Sequence, residues 1–116
     1  MHLDLKEISM ENEDFRHVIY TDPEFQLVLM SVDPKDQVGL EKHKTRTQFV
    51  YVIQGRGTSV LGDEEFNIYP GVGFIVPKNT YHNIINTSSK VPLKFFTTYS
   101  PKEHKYDERV KHNPRK

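Results

Sequence analysis

The feature that most constrains this chain is the length and spacing of its apolar runs. Residues 15–21, 25–33, 47–54, 57–61, 65–69, 73–76, 81–86 and 93–99 are rich in Val, Ile, Thr, Phe and Tyr, and none exceeds nine residues. Runs so short cannot carry an amphipathic stripe over several helical turns, but they match strands, whose side chains alternate between two faces. Turn formers fill the intervals: Asp22-Pro23, Asp33-Pro34, Gly55-Arg56-Gly57, Gly62-Asp63, Pro70-Gly71 and the stretch 86–90. Pro70-Gly71 suits the centre of a type II turn, where Gly supplies the positive φ. All six glycines lie between Gly39 and Gly73, which concentrates the tightest reversals, and so a set of hairpins, in the middle of the chain. The expected fold is all-β: one domain, a small antiparallel β-barrel or jelly roll. The absence of Ala, the best helix former, argues in the same direction.

Charge and composition exclude several classes. Sixteen Lys and Arg balance sixteen Asp and Glu, so no bulk field attracts nucleic acid or an anionic membrane. The balance is uneven along the chain. Residues 102–116 carry six basic against three acidic side chains, a surplus of three, and the first 101 residues carry the opposite. This divides the chain into a β-domain over 1–101 and a basic C-terminal tail over 102–116, mobile or packed on a partner. There is no Cys, which removes disulfides, thiolate metal sites and thiol nucleophiles, and shifts attention to the six His and the carboxylates. No apolar stretch approaches a membrane span, and the acidic N-terminal segment lacks a signal-peptide core, so a cytoplasmic location is expected. No Gly-x-Ser-x-Gly elbow, phosphate loop or dinucleotide fingerprint occurs.

Period-two geometry picks out a few polar residues. In segment 39–43, Glu41 and His43 share one face while Leu40 and Lys42 take the other. In 47–54, Gln48 heads a row with Val50 and Val52, opposite Phe49, Tyr51 and Ile53. In 81–86, His82 shares its face with Ile84, whereas Tyr81 and Asn83 point to the outside. Taken singly, each has an ordinary explanation: a hydrogen-bonded strand His, a solvated Glu at an edge, a Gln serving a loop backbone. Their joint spacing is what sets them apart.

Residues 39–55, GLEKHKTRTQFVYVIQG, resemble the first motif of the cupin family: a Gly, a His-x-His pair, a Glu, and a Gly seven residues after it. Residues 71–86, GVGFIVPKNTYHNIIN, resemble the second, with Gly71, Pro77, His82 and Asn86 in place and Asn79 where Gly is usual. Asn is the mildest replacement at a positive φ. The resemblance implies the metal ligands Glu41, His43, Gln48 and His82, with Glu41 replacing the first His and Gln48 replacing the Glu. A subgroup of small cupins is similar in its Glu-x-His, Gln-Phe and Tyr-Ser-Pro elements, the last here Tyr99-Ser100-Pro101, which implies an altered but intact site.

Two imidazoles, a carboxylate and an amide oxygen suit a divalent ion, with Fe, Mn, Zn and Ni equally compatible and a metal-free pocket left open. The functional expectation is a metal-dependent enzyme on a small polar metabolite (a sugar, sugar phosphate or keto acid), isomerase-like or dioxygenase-like, with Glu41 as the catalytic proton acceptor. A non-enzymatic small-molecule or metal-binding protein and a structural oligomerisation module remain alternatives, since the scaffold serves many functions. The outward row Phe49, Tyr51 and Ile53 and both faces of 25–32 are apolar, which predicts a homodimer. Asn86 is expected to cap a turn. His2, His17, His104 and His112 are expected at the surface, the last two being reserve site candidates.

Overall fold

The computed structural model describes residues 1–115. A short helix, α1 (Leu5–Glu11), precedes ten strands: β1 (Arg16–Asp22), β2 (Phe25–Val32), β3 (Glu41–Lys42), β4 (Thr47–Gln54), β5 (Gly57–Leu61), β6 (Glu64–Ile68), β7 (Gly73–Val76), β8 (Tyr81–Asn86), β9 (Leu93–Ser100) and β10 (Arg109–Val110). All eight expected strands form, with ends shifted by a residue at most. The additions β3 and β10 are two residues long and exist through pairing with β8 and β1.

The strands form two antiparallel sheets, one in the order β10-β1-β2-β9-β4-β7 and the other β3-β8-β5-β6. This is the expected jelly roll, in which the two sheets face each other without closing into one barrel. The edge strands β3, β10 and β7 are too short to carry a hydrogen-bonded ladder from one sheet into the next. Short edges also discourage pairing with foreign strands.

Alternation on β4 follows the sequence pattern. Gln48, Val50 and Val52 are buried between the sheets, while Phe49, Tyr51 and Ile53 lie outward. Val28, Val32, Val50, Val52, Leu93 and Phe95, all at most 1% exposed, form the centre of the core. Each such side chain contributes about 1.5–3 kcal/mol by leaving water. The Pro70-Gly71 turn is of the expected kind: Val72 N donates to Tyr69 O at 3.0 Å and Gly71 has φ +94°. Asn86 is fully buried, and its amide donates to the carbonyls of Val32, Asp33 and Val91 while its oxygen accepts from Ser88 N. It therefore caps the turn after β8, as expected, and also ties three chain segments together.

Three features depart from the sequence reading. Helix α1 forms because Asp4 caps it, accepting from Glu7 N at 3.0 Å, and Lys94 Nζ donates to Met10 O at its other end. The outer residues Leu27 and Leu29 of β2 are buried and line grooves with Leu3, Leu5 and Ile8, so the chain's own N-terminal segment covers part of the apolar outer face. Phe25, Phe49 and Ile75 stay exposed.

The third departure concerns residues 102–115, which are folded against the large sheet. Gln26, with no exposed surface, accepts from Glu103 N and His104 N and donates to His104 O, and β10 then pairs with β1. No helix among the described residues is long and apolar enough to cross a membrane.

Candidate metal centre

The site spans both sheets at one end of the sandwich. β3 pairs with β8 so that Glu41 stands opposite His82, and the chain then turns so that His43 comes alongside. One ligand-type atom from each of Glu41, His43 and His82 lies within 4.8 Å of the others. Gln48 enters from the opposite sheet and lines the same cavity as Glu41 and His82. The structure thus brings together all four residues singled out from the sequence.

The hydrogen bonds behind these groups settle which atoms face inward. His82 Nδ1 lies 3.0 Å from Thr80 O. A carbonyl can only accept, so Nδ1 carries the hydrogen and Nε2 keeps its lone pair. Burial holds the His82 pKa below its ordinary value and keeps the ring neutral. His43 is 8% exposed; its Nδ1 faces Glu103 Oε2 at 3.5 Å and its Nε2 is buried without a partner.

Gln48 is oriented by similar logic. Thr97 Oγ1 donates to Phe49 O, so it can only accept from Gln48, whose Nε2 lies 2.9 Å away. Gln48 Nε2 also approaches the Tyr99 hydroxyl at 3.3 Å, and Oε1 is left buried and unpartnered. Burial, with the nearby Glu41 charge, raises the Tyr99 pKa far above its usual value, so its hydroxyl stays protonated.

Buried polar atoms without partners are rare, and two of them here border a carboxylate and a second free imidazole nitrogen. The donor set therefore fits a divalent cation: neutral nitrogen and oxygen donors, one formal negative charge and no thiolate. The cavity between them measures about 10 Å³, enough for a single water- or ion-sized occupant but not for a metabolite. Access is on the Glu41 side, where that carboxylate is partly exposed and Arg115 Nη2 lies 3.7 Å from it. The guanidinium also donates to Leu40 O and rests over Gly39, where any Cβ would collide with it. Gly39, at φ +111°, is thus demanded by backbone conformation, whereas the flexible guanidinium can give way.

Other positions differ from expectation. Asn83 does not point to the outside. It is buried, accepting from Gly39 N at 2.9 Å and donating to Gln37 Oε1, because residues 37–39 run along the edge of β8 and cover it. Tyr81 is exposed as expected, with Lys42 Nζ 4.7 Å above its ring.

His104 is not a surface residue. Its side chain is 12% exposed, packed edge-on against Tyr99 and 3.4 Å from Glu108, which also pairs with Arg16. Burial, then the neighbouring charges of Arg16, His43 and Arg46, lower its pKa to about 3. His2 and His112 are exposed and His17 partly so. A groove of about 690 Å³ lies beside α1 and β1. Asp14 pairs there with Arg109 and with His17, and Glu11, Glu13, Lys111 and His112 also line it.

Glu103 and Arg115 both reach the site from the segment read as a tail, and sequence reasoning missed both. No local pattern marks them, since each acts across at least sixty residues of chain.

Comparisons with known proteins agree with this fold. The family model for the cupin domain matches residues 28–99, from β2 to the end of β9. YrkC of Bacillus subtilis (strain 168) is 33% identical over 110 residues, covering 90% of this chain and 59% of its own. L612 of Acanthamoeba polyphaga mimivirus is 34% identical over 105 residues, covering 88% and 66%. The chain thus spans about three-fifths to two-thirds of the length of these relatives. The crystal structure of BH2720 from Bacillus halodurans superposes with a TM-score of 0.93 at 26% identity, covering 96% of this chain and 88% of that one.

Proposed function

Because the chain belongs to the cupin family, we propose that it is a metal-binding cupin acting as a metal-dependent enzyme on a small polar metabolite. In this reading Glu41, His43, Gln48 and His82 are the ligands. The observation that carries it is the pair of buried, unpartnered acceptors, His43 Nε2 and Gln48 Oε1, converging on Glu41 and His82. A divalent ion held there supplies Lewis acidity toward a carbonyl or hydroxyl group of the substrate.

The remaining chemistry belongs to the chain. Glu41 is the one anionic and partly exposed member of the set, so its carboxylate, once released from the ion during turnover, is placed to take and return a proton at the mouth. An isomerase-like proton transfer needs nothing beyond that residue, whereas a dioxygenase-like reaction needs O₂ as co-substrate. Arg115 at the same mouth favours the acidic members of the substrate class, a keto acid or sugar phosphate.

Elemental analysis of tag-free protein tests the centre. Near-stoichiometric metal is expected in the parent and none in His43→Ala or His82→Ala; a parent that stays empty after reconstitution with Fe(II), Mn(II), Zn(II) or Ni(II) refutes it. The 10 Å³ cavity favours a second reading, capture of an ion or small ligand without turnover. Glu41→Gln separates the two, since only an enzyme loses turnover while its ligand affinity persists. The exposed Phe49 and Ile75, paired across β4 and β7, support a homodimer through this sheet, and light scattering giving a 13.6 kDa particle excludes it.

A further inference from the structure

We propose that Glu103 is a positioning residue of this centre, holding His43 as the Nδ1–H tautomer so that Nε2 turns its lone pair toward Glu41, Gln48 and His82. The inference rests on the metal-site reading but concerns a residue outside the matched family segment, which ends at residue 99.

The carboxylate is fixed from two directions. Its Oε2 faces His43 Nδ1 at 3.5 Å, and its Oε1 forms an ion pair with Arg46, whose Nε lies 2.9 Å away. Arg46 Nε donates its single hydrogen to Lys102 O at 2.6 Å, so one guanidinium meets both the side chain and the backbone just before it. From behind, fully buried Gln26 accepts from Glu103 N at 3.1 Å and His104 N at 2.8 Å, and donates to His104 O at 2.9 Å. Glu103 is therefore locked on the sheet before any ion arrives.

The chemical need is specific. A neutral imidazole in water prefers to carry its proton on Nε2, and in that form His43 would aim a hydrogen at the shared point. A carboxylate facing Nδ1 draws the proton there and raises the basicity of Nε2. His82 gets the same service from Thr80 O. One imidazole is thus set by its own strand's approach and the other by a residue sixty positions away.

The test uses the full chain, with Zn(II) as probe. Imidazole ¹⁵N shifts of metal-free protein should report the Nδ1–H form for both His43 and His82. In Glu103→Ala the His43 signals should move toward the Nε2–H form while those of His82 stay. Zn(II) affinity, by chelator competition, should fall about 10–100-fold. Glu103→Gln, which keeps an acceptor oxygen of the same shape, should retain the tautomer and recover much of the affinity. An unchanged His43 tautomer in Glu103→Ala, or affinity within twofold of the parent, overturns the proposal. If the parent itself binds no Zn(II), the metal-site reading fails, and the metal-free spectra still decide whether Glu103 sets His43.

Discussion

The two ends of the space between the sheets are built on one backbone pattern and have opposite characters. Toward one end, Val50, Val52, Ile68 and Leu93 close a dry core in which every side chain is satisfied by neighbours of its own kind. Toward the other, Gln48 continues the same inward row of β4 and meets Glu41, His43 and His82. The strand, the pleat and the degree of burial barely change between Gln48 and Val50, only four-hundredths of surface exposure apart. What changes is that the polar end keeps lone pairs without partners. A sandwich of this kind separates stability from chemistry by position along a strand, not by layer or domain.

Substitutions at the two ends should therefore fail in different ways. The largest stability loss is expected at the dry end. Leu93→Ala should cost about 2–5 kcal/mol in urea unfolding, while the folded fraction keeps its metal affinity. If metal affinity collapses as well, the ends are coupled and the separation is wrong.

Gln48→Leu probes the boundary itself. It removes an amide whose oxygen is unpartnered, at the loss of hydrogen bonds to Thr97 and Tyr99. The metal-free protein should keep its stability to within about 1 kcal/mol or gain some, and metal should bind more weakly. Destabilisation approaching that of Leu93→Ala would make Gln48 a core-holding amide and not a ligand.

The last effect depends on pH and concerns the polar end's outer neighbour, His104. Its folded pKa of about 3 lies below the ordinary 6.5 of the unfolded chain, so between these values the unfolded state binds the extra proton. The contribution is present above pH 6.5 and is lost as pH falls toward 3. The parent's thermal midpoint should drop over that window, and His104→Gln should flatten the drop. Identical profiles would mean that His104 is protonated in the fold, paired with Glu108.

How much of this was legible in the sequence follows from the range of each interaction. The eight longer strands and the inward row of β4 are local periodicities, and a chain displays those directly. The four converging residues were legible because motif spacing stands in for a topology that single-strand alternation cannot supply. Strands β3 and β10 were not, since two residues have no periodicity and pair only when a neighbour is brought to them. Helix α1 announced itself in Asp4 and Glu7, a cap and a first-turn acid, but was masked by the lack of Ala.

Residues 102–115 were misleading because their composition is polar while their placement is decided elsewhere. One buried Gln26 and the ring of Tyr99 draw Glu103 and His104 inward. Charge counting sees the five basic residues of this stretch and not the glutamate they accompany.

The position of Gln48 on one sheet and of Glu41, His43 and His82 on or beside the other has a mechanical consequence. An ion held by all four would be a rivet between two layers that no hydrogen-bonded ladder joins at that end. Binding energy would then appear as resistance of the sheets to parting, about 2.7 kcal/mol when free metal is a hundred times its dissociation constant. The melting temperature of this protein would thereby become a gauge of metal supply, readable without knowing the substrate.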